Sequence, residues 1–223
     1  AKLWDMTTFE CKRTLKGHDH TVSGVAFLHQ GGDALITCSR DNTIKLWEVS
    51  SGYCTHTFTG HSDWVRCLSV SAEQHVFASG CSDSSICVWD VKARKLRHTL
   101  RGHEHVVECV SFPQSTEPLK PQQMERGSGI TVIPRKETRS VGHTIIIIII
   151  IIIIIIVVVL LLLVVIKAHP SLFASGSRDK TVRVWNADTG VCVFTVAAHD
   201  NWVRAVVFLP SSKHVLSASD DKT

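Results

Sequence analysis

Over most of the chain apolar and polar residues alternate. In Thr43, Ile44, Lys45, Leu46 and Trp47 the period is two, which is the period of a strand and not of a helix. Runs of this kind are separated by turn chemistry such as "QGGD", "SRDN" and "SSG". In the first complete stretch the pattern predicts four strands, near residues 21–28, 34–39, 43–49 and 53–58. The same arrangement returns further along the chain.

Four segments begin repeating units: "LKGHDHTVSGVAF", "FTGHSDWVRCLSV", "LRGHEHVVECVSF" and "VAAHDNWVRAVVF". Each is followed by a second block, namely "LITCSRDNTIKLWEV", "FASGCSDSSICVWDV", "FASGSRDKTVRVWNA" and the shorter "LSASDDKT". The first unit starts 43 residues before the second, and the second 42 before the third. That period suits a four-stranded unit which cannot bury both faces alone and must stack on its neighbours.

One segment breaks the alternation. Residues 145–166 are 22 consecutive apolar residues, the first twelve of them isoleucine, long enough to cross a bilayer once as a helix. From the unit's histidine to its turn aspartate the spacing is 23, 22 and 22 residues in the first, second and fourth units, but 76 between His103 and Asp179. The excess of about 54 residues falls between Phe112 and Leu172, so both flanks belong to one small sheet. Paired strands lie about 4.8 Å apart, whereas a single crossing parts its flanks by a hydrocarbon layer about 30 Å thick. The sheet and the span exclude each other. Because the repeat resumes in register at "LFASGSRDKTVRVW", the expectation is no membrane span, with residues 113–169 an insertion between repeats at 1–112 and 170–223. A homopolymeric isoleucine tract is low complexity, of the kind translated non-coding sequence or a lineage-specific expansion produces.

Composition changes this picture little. A net charge of +4 over 223 residues is too mild to imply nucleic acid, and no secretory signal opens the chain. The eight cysteines show no C-x-x-C spacing, and Cys11, Cys54 and Cys192 recur at one place in the repeat. All are expected to be small buried core residues in a reducing, cytoplasmic setting. No nucleophile elbow, phosphate loop or pair of catalytic carboxylates is present, and the histidines, repeated in register, are assigned structural work. The expectation is a non-enzyme with no cofactor and no metal.

With Gly-His near the start of each unit and Trp-Asp near its end (Trp89-Asp90, or the variants Trp47-Glu48 and Trp185-Asn186), the chain resembles the WD40 family. The resemblance implies an all-β propeller, here incomplete: about three full blades plus partial ones, interrupted by the apolar insertion. Since the family usually closes seven blades, the chain reads as a fragment. It also implies hydrogen-bonded tetrads formed by His18, Thr37, Asp41 and Trp47; by His61, Ser79, Asp83 and Trp89; and by His103, Ser175, Asp179 and Trp185. Such a set is chemically closed, because indole donates, hydroxyl and imidazole do both, and carboxylate accepts.

The resemblance further implies that the Gly-His loops and the turns before the third strand share one face, where Arg40, Trp64, Arg66, Arg178, Trp202 and Arg204 fall by position. Tryptophan and arginine are frequent interface anchors. Against that stands a plainer role, tryptophans packed at blade seams and arginines in exposed ion pairs worth under about 1 kcal/mol each. The stretches "SRDNTIKLWEVSSGYCTHTFTGHSDWVRC", "RGHEHVVECVSF", "SGSRDKTVRVWNADTGVC" and "AHDNWVRAVVF" further resemble the lissencephaly-one family of dynein regulators, also known as non-catalytic subunits of platelet-activating factor acetylhydrolase. That resemblance implies a cytoplasmic, cytoskeleton- and centrosome-associated scaffold for the dynein heavy chain motor domain. Other implied partners are nuclear-distribution proteins and acetylhydrolase catalytic subunits, with a homodimer in the full-length family. It carries dynein contact onto Arg40, Arg66, Arg178 and Trp202, while Ser82 stands where the second blade would hold its arginine. An adaptor or substrate-recognition subunit of another complex, such as a ubiquitin ligase, is the alternative.

Overall fold

The computed structural model describes residues 1–28, 33–71, 76–113, 171–209 and 214–223. Sixteen strands and no helix are found among them. Three antiparallel four-stranded sheets follow the chain in order: β3 (Val22–Leu28), β4 (Ala34–Ser39), β5 (Thr43–Glu48) and β6 (Cys54–Thr59); β7 (Val65–Val70), β8 (Val76–Cys81), β9 (Ile86–Asp90) and β10 (Lys95–Leu100); β11 (Val107–Ser111), β12 (Leu172–Ser177), β13 (Val182–Asn186) and β14 (Cys192–Val196). Two-stranded sheets flank them in sequence, β1 (Lys2–Trp4) with β2 (Cys11–Thr14) and β15 (Val203–Phe208) with β16 (Val215–Ser219). The four strands expected in the first unit are present to within a residue at each end.

β11 and β12 pair across the interruption, with Val110 opposite Ser175 and Ser111 opposite Ala174. The flanks of the insertion are therefore neighbours in one sheet. The apolar run itself lies outside the described residues, and no helix among those described is long and apolar enough to cross a membrane. The strands belong to a compact unit made of Ala1–Thr116 and Pro170–Thr223.

The inner strands β3, β7, β11 and β15 lie beside one another in succession, so each sheet packs its face on the next. Between the first two blades Ile36, Ile44, Phe58, Phe77 and Trp89 are buried together; between the second and third, Ile86, Val88, Val107, Phe112, Phe173 and Trp185. At each inner edge one sulfur faces one glycine across the strand pair: Cys38 opposite Gly24, Cys67 opposite Gly80, Cys109 opposite Gly176. A Cβ on Gly80 would lie 2.6 Å from Val107 Cγ1 of the next blade, and one on Gly176 2.6 Å from Val203 Cγ1. Glycine there lets the next inner strand tuck in.

The cysteines correct the sequence expectation in part. Cys38, Cys81 and Cys87 are buried, but Cys11 and Cys54 are exposed and Cys192 is half-buried. The latter three start the outermost strand of their sheets, opposite Trp4, Trp47 and Trp185, beside a bulge that breaks the register. Their thiols turn along the strand to the carbonyl two residues on and to a threonine hydroxyl, as Cys54 does to His56 O (3.3 Å) and Thr57 Oγ1 (3.7 Å). Repetition there marks a local strand-edge motif, not a core position.

Candidate functional site: a rim of stacked arginine and tryptophan

The loops before β3, β7, β11 and β15 and the turns after β4, β8, β12 and β16 share one edge of the sheets. They are tied by a backbone bond repeated four times, from the amides of Arg40, Ser82, Arg178 and Asp220 to the carbonyls of Thr21, Trp64, Val106 and Trp202.

Beneath that edge lie the tetrads. Trp47, Trp89 and Trp185 each donate their indole N–H at 2.8 Å to the hydroxyl of Thr37, Ser79 or Ser175, and that oxygen lies 2.7 Å from Nε2 of His18, His61 or His103. The imidazole passes the chain to the turn aspartate, 2.7 Å from His18 Nδ1 to Asp41 and from His103 Nδ1 to Asp179. Three members of the same network stand in the fourth unit, where His199 lies 2.8 Å from both Ser217 and Asp221. Burial pushes Asp41 up, but hydrogen bonds from Thr43, His18 and the Asp19 and Thr43 amides outweigh it and hold the carboxyl at about 2. Asp83 and Asp179, under the same opposition of burial and hydrogen bonding, are held further below the carboxylate range. Each aspartate thus locks the loop before the inner strand to the turn after the second strand. The position that follows it is left-handed in every unit: Asn42, Ser84, Lys180 and Lys222, with φ between 66° and 75°.

The second blade departs from this pattern. His61 Nδ1 is 3.9 Å from Asp83, because Ser62 Oγ takes that carboxylate oxygen at 2.8 Å, and Cys87 Sγ stands 3.7 Å from the ring nitrogen. His61, Cys81 and Asp83 bring one potential metal-ligand atom each within 4.8 Å of one another. Burial pushes the Cys81 thiol up to about 12, which works against the thiolate a metal requires.

Above the tetrads the six rim residues gather into two stacks. Arg40 and Arg66 place their guanidinium carbons 4.7 and 5.7 Å from the Trp64 ring centroid, and Arg178 and Arg204 place theirs 4.3 and 4.9 Å from that of Trp202. In each stack one arginine comes from the preceding blade and the other from the strand just after the tryptophan, so the stack bridges a blade seam. Trp64 is 39% exposed, with His20 of the preceding blade tilted beside it. The tryptophans sit at seams and stay accessible there.

The second arginine of each stack has a geometric cause invisible in the repeat. Every inner strand carries a one-residue bulge at its start, and the extra residue is Ser23, Arg66, Glu108 or Arg204. A bulge takes its residue out of the strand's alternation and re-aims the side chain. Sequence reasoning missed Glu108 and Asp220, which decide the electrostatics. Glu108 pairs with Arg178 at 2.5 Å and reaches Arg204 at 3.8 Å; Asp220 pairs with Arg204 at 2.7 Å, holding Arg204 above and Asp220 below their ordinary values. Glu108 stands at the bulge position and Asp220 just before the turn aspartate, places that gain meaning only once the strands are paired.

Stacked four-stranded blades, buried Trp–Ser/Thr–His–Asp networks and an accessible seam rim define a propeller-type repeat protein. The family model described as "WD domain, G-beta repeat" matches residues 9–48, 52–90, 164–186 and 190–223, and the chain belongs to the WD40 family. Within it, the chain is 35% identical to Nuclear distribution protein PAC1 of Coccidioides posadasii over 95% of its own length and 39% of that protein's. It is also 35% identical to Nuclear distribution protein PAC1 of Gibberella zeae, over 100% of its own length and 43% of that protein's. It therefore spans about two fifths of the relatives it matches. The solved structure of U3-55K shares the fold, with a TM-score of 0.60 at 20% identity over 87% of this chain and 45% of that one.

Proposed function

We propose that the chain is the blade-bearing part of a dynein-pathway scaffold, which docks the motor domain of the cytoplasmic dynein heavy chain on the rim formed by Arg40, Trp64, Arg66, Arg178, Trp202 and Arg204. The observation that carries this reading is the pair of arginine–tryptophan stacks on one edge, in a chain similar along its whole length to proteins named for nuclear distribution. Planar cation–aromatic stacks hold guanidinium forks at fixed positions, which suits them to meet carboxylates on a partner. The tetrads fix the loops and turns, and their histidines and aspartates are engaged in those structural networks, which supports a non-catalytic role. On this reading the protein works in the cytoplasm on microtubules and at centrosomes, with nuclear-distribution proteins and acetylhydrolase catalytic subunits as further partners and with dimer formation in the full-length protein.

A pull-down with purified dynein motor domain tests it. The chain should retain the motor domain, and changing Arg40, Arg66, Arg178 and Trp202 together to alanine should lower retention at least tenfold while the variant still shows a cooperative thermal unfolding transition. Retention unaffected by the fourfold change would shift the reading to an adaptor for another complex.

A further inference from the structure

The two stacks differ in what neutralises them. Arg178 follows β12 and meets Glu108, the bulge residue of β11; Arg40 follows β4 in the same way, but the bulge residue of β3 is Ser23. Arg204 is the bulge residue of β15 and meets Asp220 after β16; Arg66 is the bulge residue of β7, but after β8 stands Ser82, which accepts only a hydrogen bond from Arg66 Nε at 2.9 Å. At both positions a serine replaces a carboxylate. Among the described residues neither Arg40 nor Arg66 has an ion-pair partner. Asp63, next to Trp64, spends its carboxylate on the Trp64 amide at 2.7 Å.

We infer that the two halves of the rim do different jobs: the Arg40–Trp64–Arg66 stack binds an acidic peptide segment of the partner through its two uncompensated guanidiniums, while the Arg178–Trp202–Arg204 stack is charge-satisfied within the chain and offers aromatic surface. This rests on the docking role given above and divides it. Desolvating an arginine already paired to a carboxylate gains nothing from a second one, whereas an unpaired arginine held on a ring gains the full ionic contact. Salt should accordingly weaken contact with the first stack far more than with the second.

Exchanging the neutralising residues tests the division. A fluorescent octaglutamate peptide and the dynein motor domain are titrated against the chain at several ionic strengths. Ser23→Glu with Ser82→Asp should weaken octaglutamate binding about tenfold and flatten its salt dependence. Glu108→Ser with Asp220→Ser should strengthen it at least threefold by exposing Arg178 and Arg204; Glu108→Gln with Asp220→Asn serves where the serines lower the melting temperature. Equal responses to the two exchanges, or a loss of binding on exposing the second stack, would overturn the inference. If octaglutamate follows the expected pattern while no form of the chain retains the motor domain, the docking reading falls and the division of charge stands. If the motor domain binds every variant alike, the division falls and the docking reading stands.

Discussion

Ser79, Thr37 and Ser175 each accept an indole N–H while lying within bonding distance of an imidazole, at sites closed to water. A buried donor left without its acceptor costs about 1–3 kcal/mol. Ser175→Ala should therefore lower stability by about that amount in urea titration, where a surface serine such as Ser51 should change it little. Gly176 is the other sensitive point, since a methyl there meets Val203 Cγ1 and Cys109 Sγ at once. Gly176→Ala should cost about 1–3 kcal/mol by overpacking. The thiols give a direct readout of burial. Burial pushes Cys38 and Cys109 up to about 12 and raises Cys67 as well, while Cys11 and Cys54 lie open. Ellman's reagent should titrate Cys11 and Cys54 first and Cys192 more slowly, reaching the inner thiols only in denaturant. Burial of the recurring cysteines was misread in the sequence because a repeat shows that a position is constrained without showing which way its side chain turns.

Strands, by contrast, were legible almost to the residue, because alternation, turn residues and the Gly-His and Trp-Asp marks agree on the same boundaries. The tetrads were reached through the family resemblance, with a donor and acceptor set that is chemically closed. Bulges were not legible, since one added residue shifts the parity of a strand without disturbing its composition. Nor were the counter-charges Glu108 and Asp220, which approach their arginines only once strands are paired and bulged. The turns after β4, β8, β12 and β16 also carry the acid sensitivity of the fold. Their aspartates have folded-state values below the unfolded value of about 3.9, so the stabilisation they give is complete above that pH and is lost as pH falls through about 2, the Asp41 value. Melting temperature should be flat from neutrality to about pH 4 and then drop steeply. Asp179→Asn should lower the neutral-pH melting temperature and make the acid drop shallower.

Across the whole stack, stability belongs to seams between sheets and not to the sheets alone. Phe112 and Phe27 occupy equivalent places in their units, yet Phe112, just past β11, is fully buried against the second blade while Phe27 is 47% exposed on β3. Phe112→Ala should cost about 3–5 kcal/mol, and Phe27→Ala no more than about a third of that, by differential scanning calorimetry. Continuity of β11 and β12 across the insertion follows the same logic. The third blade is defined by what its strands pack on, and the register of β11 with β12 is set by their own pairing, so a change of length between Pro113 and Ser171 should carry only a small entropic cost. Shortening residues 117–169 to a brief polar loop should leave both the melting temperature and octaglutamate binding in place.

The bulge at the head of each inner strand has a wider implication. Its residue is left out of the strand register, and serine, arginine and glutamate all occupy it at the rim in different units. Each unit thereby carries a slot whose content can change with little effect on the core, and a run of units becomes a row of letters coupled only to their neighbours across each seam. The partner preferences of such a protein can drift blade by blade, at a pace set by the rim alone.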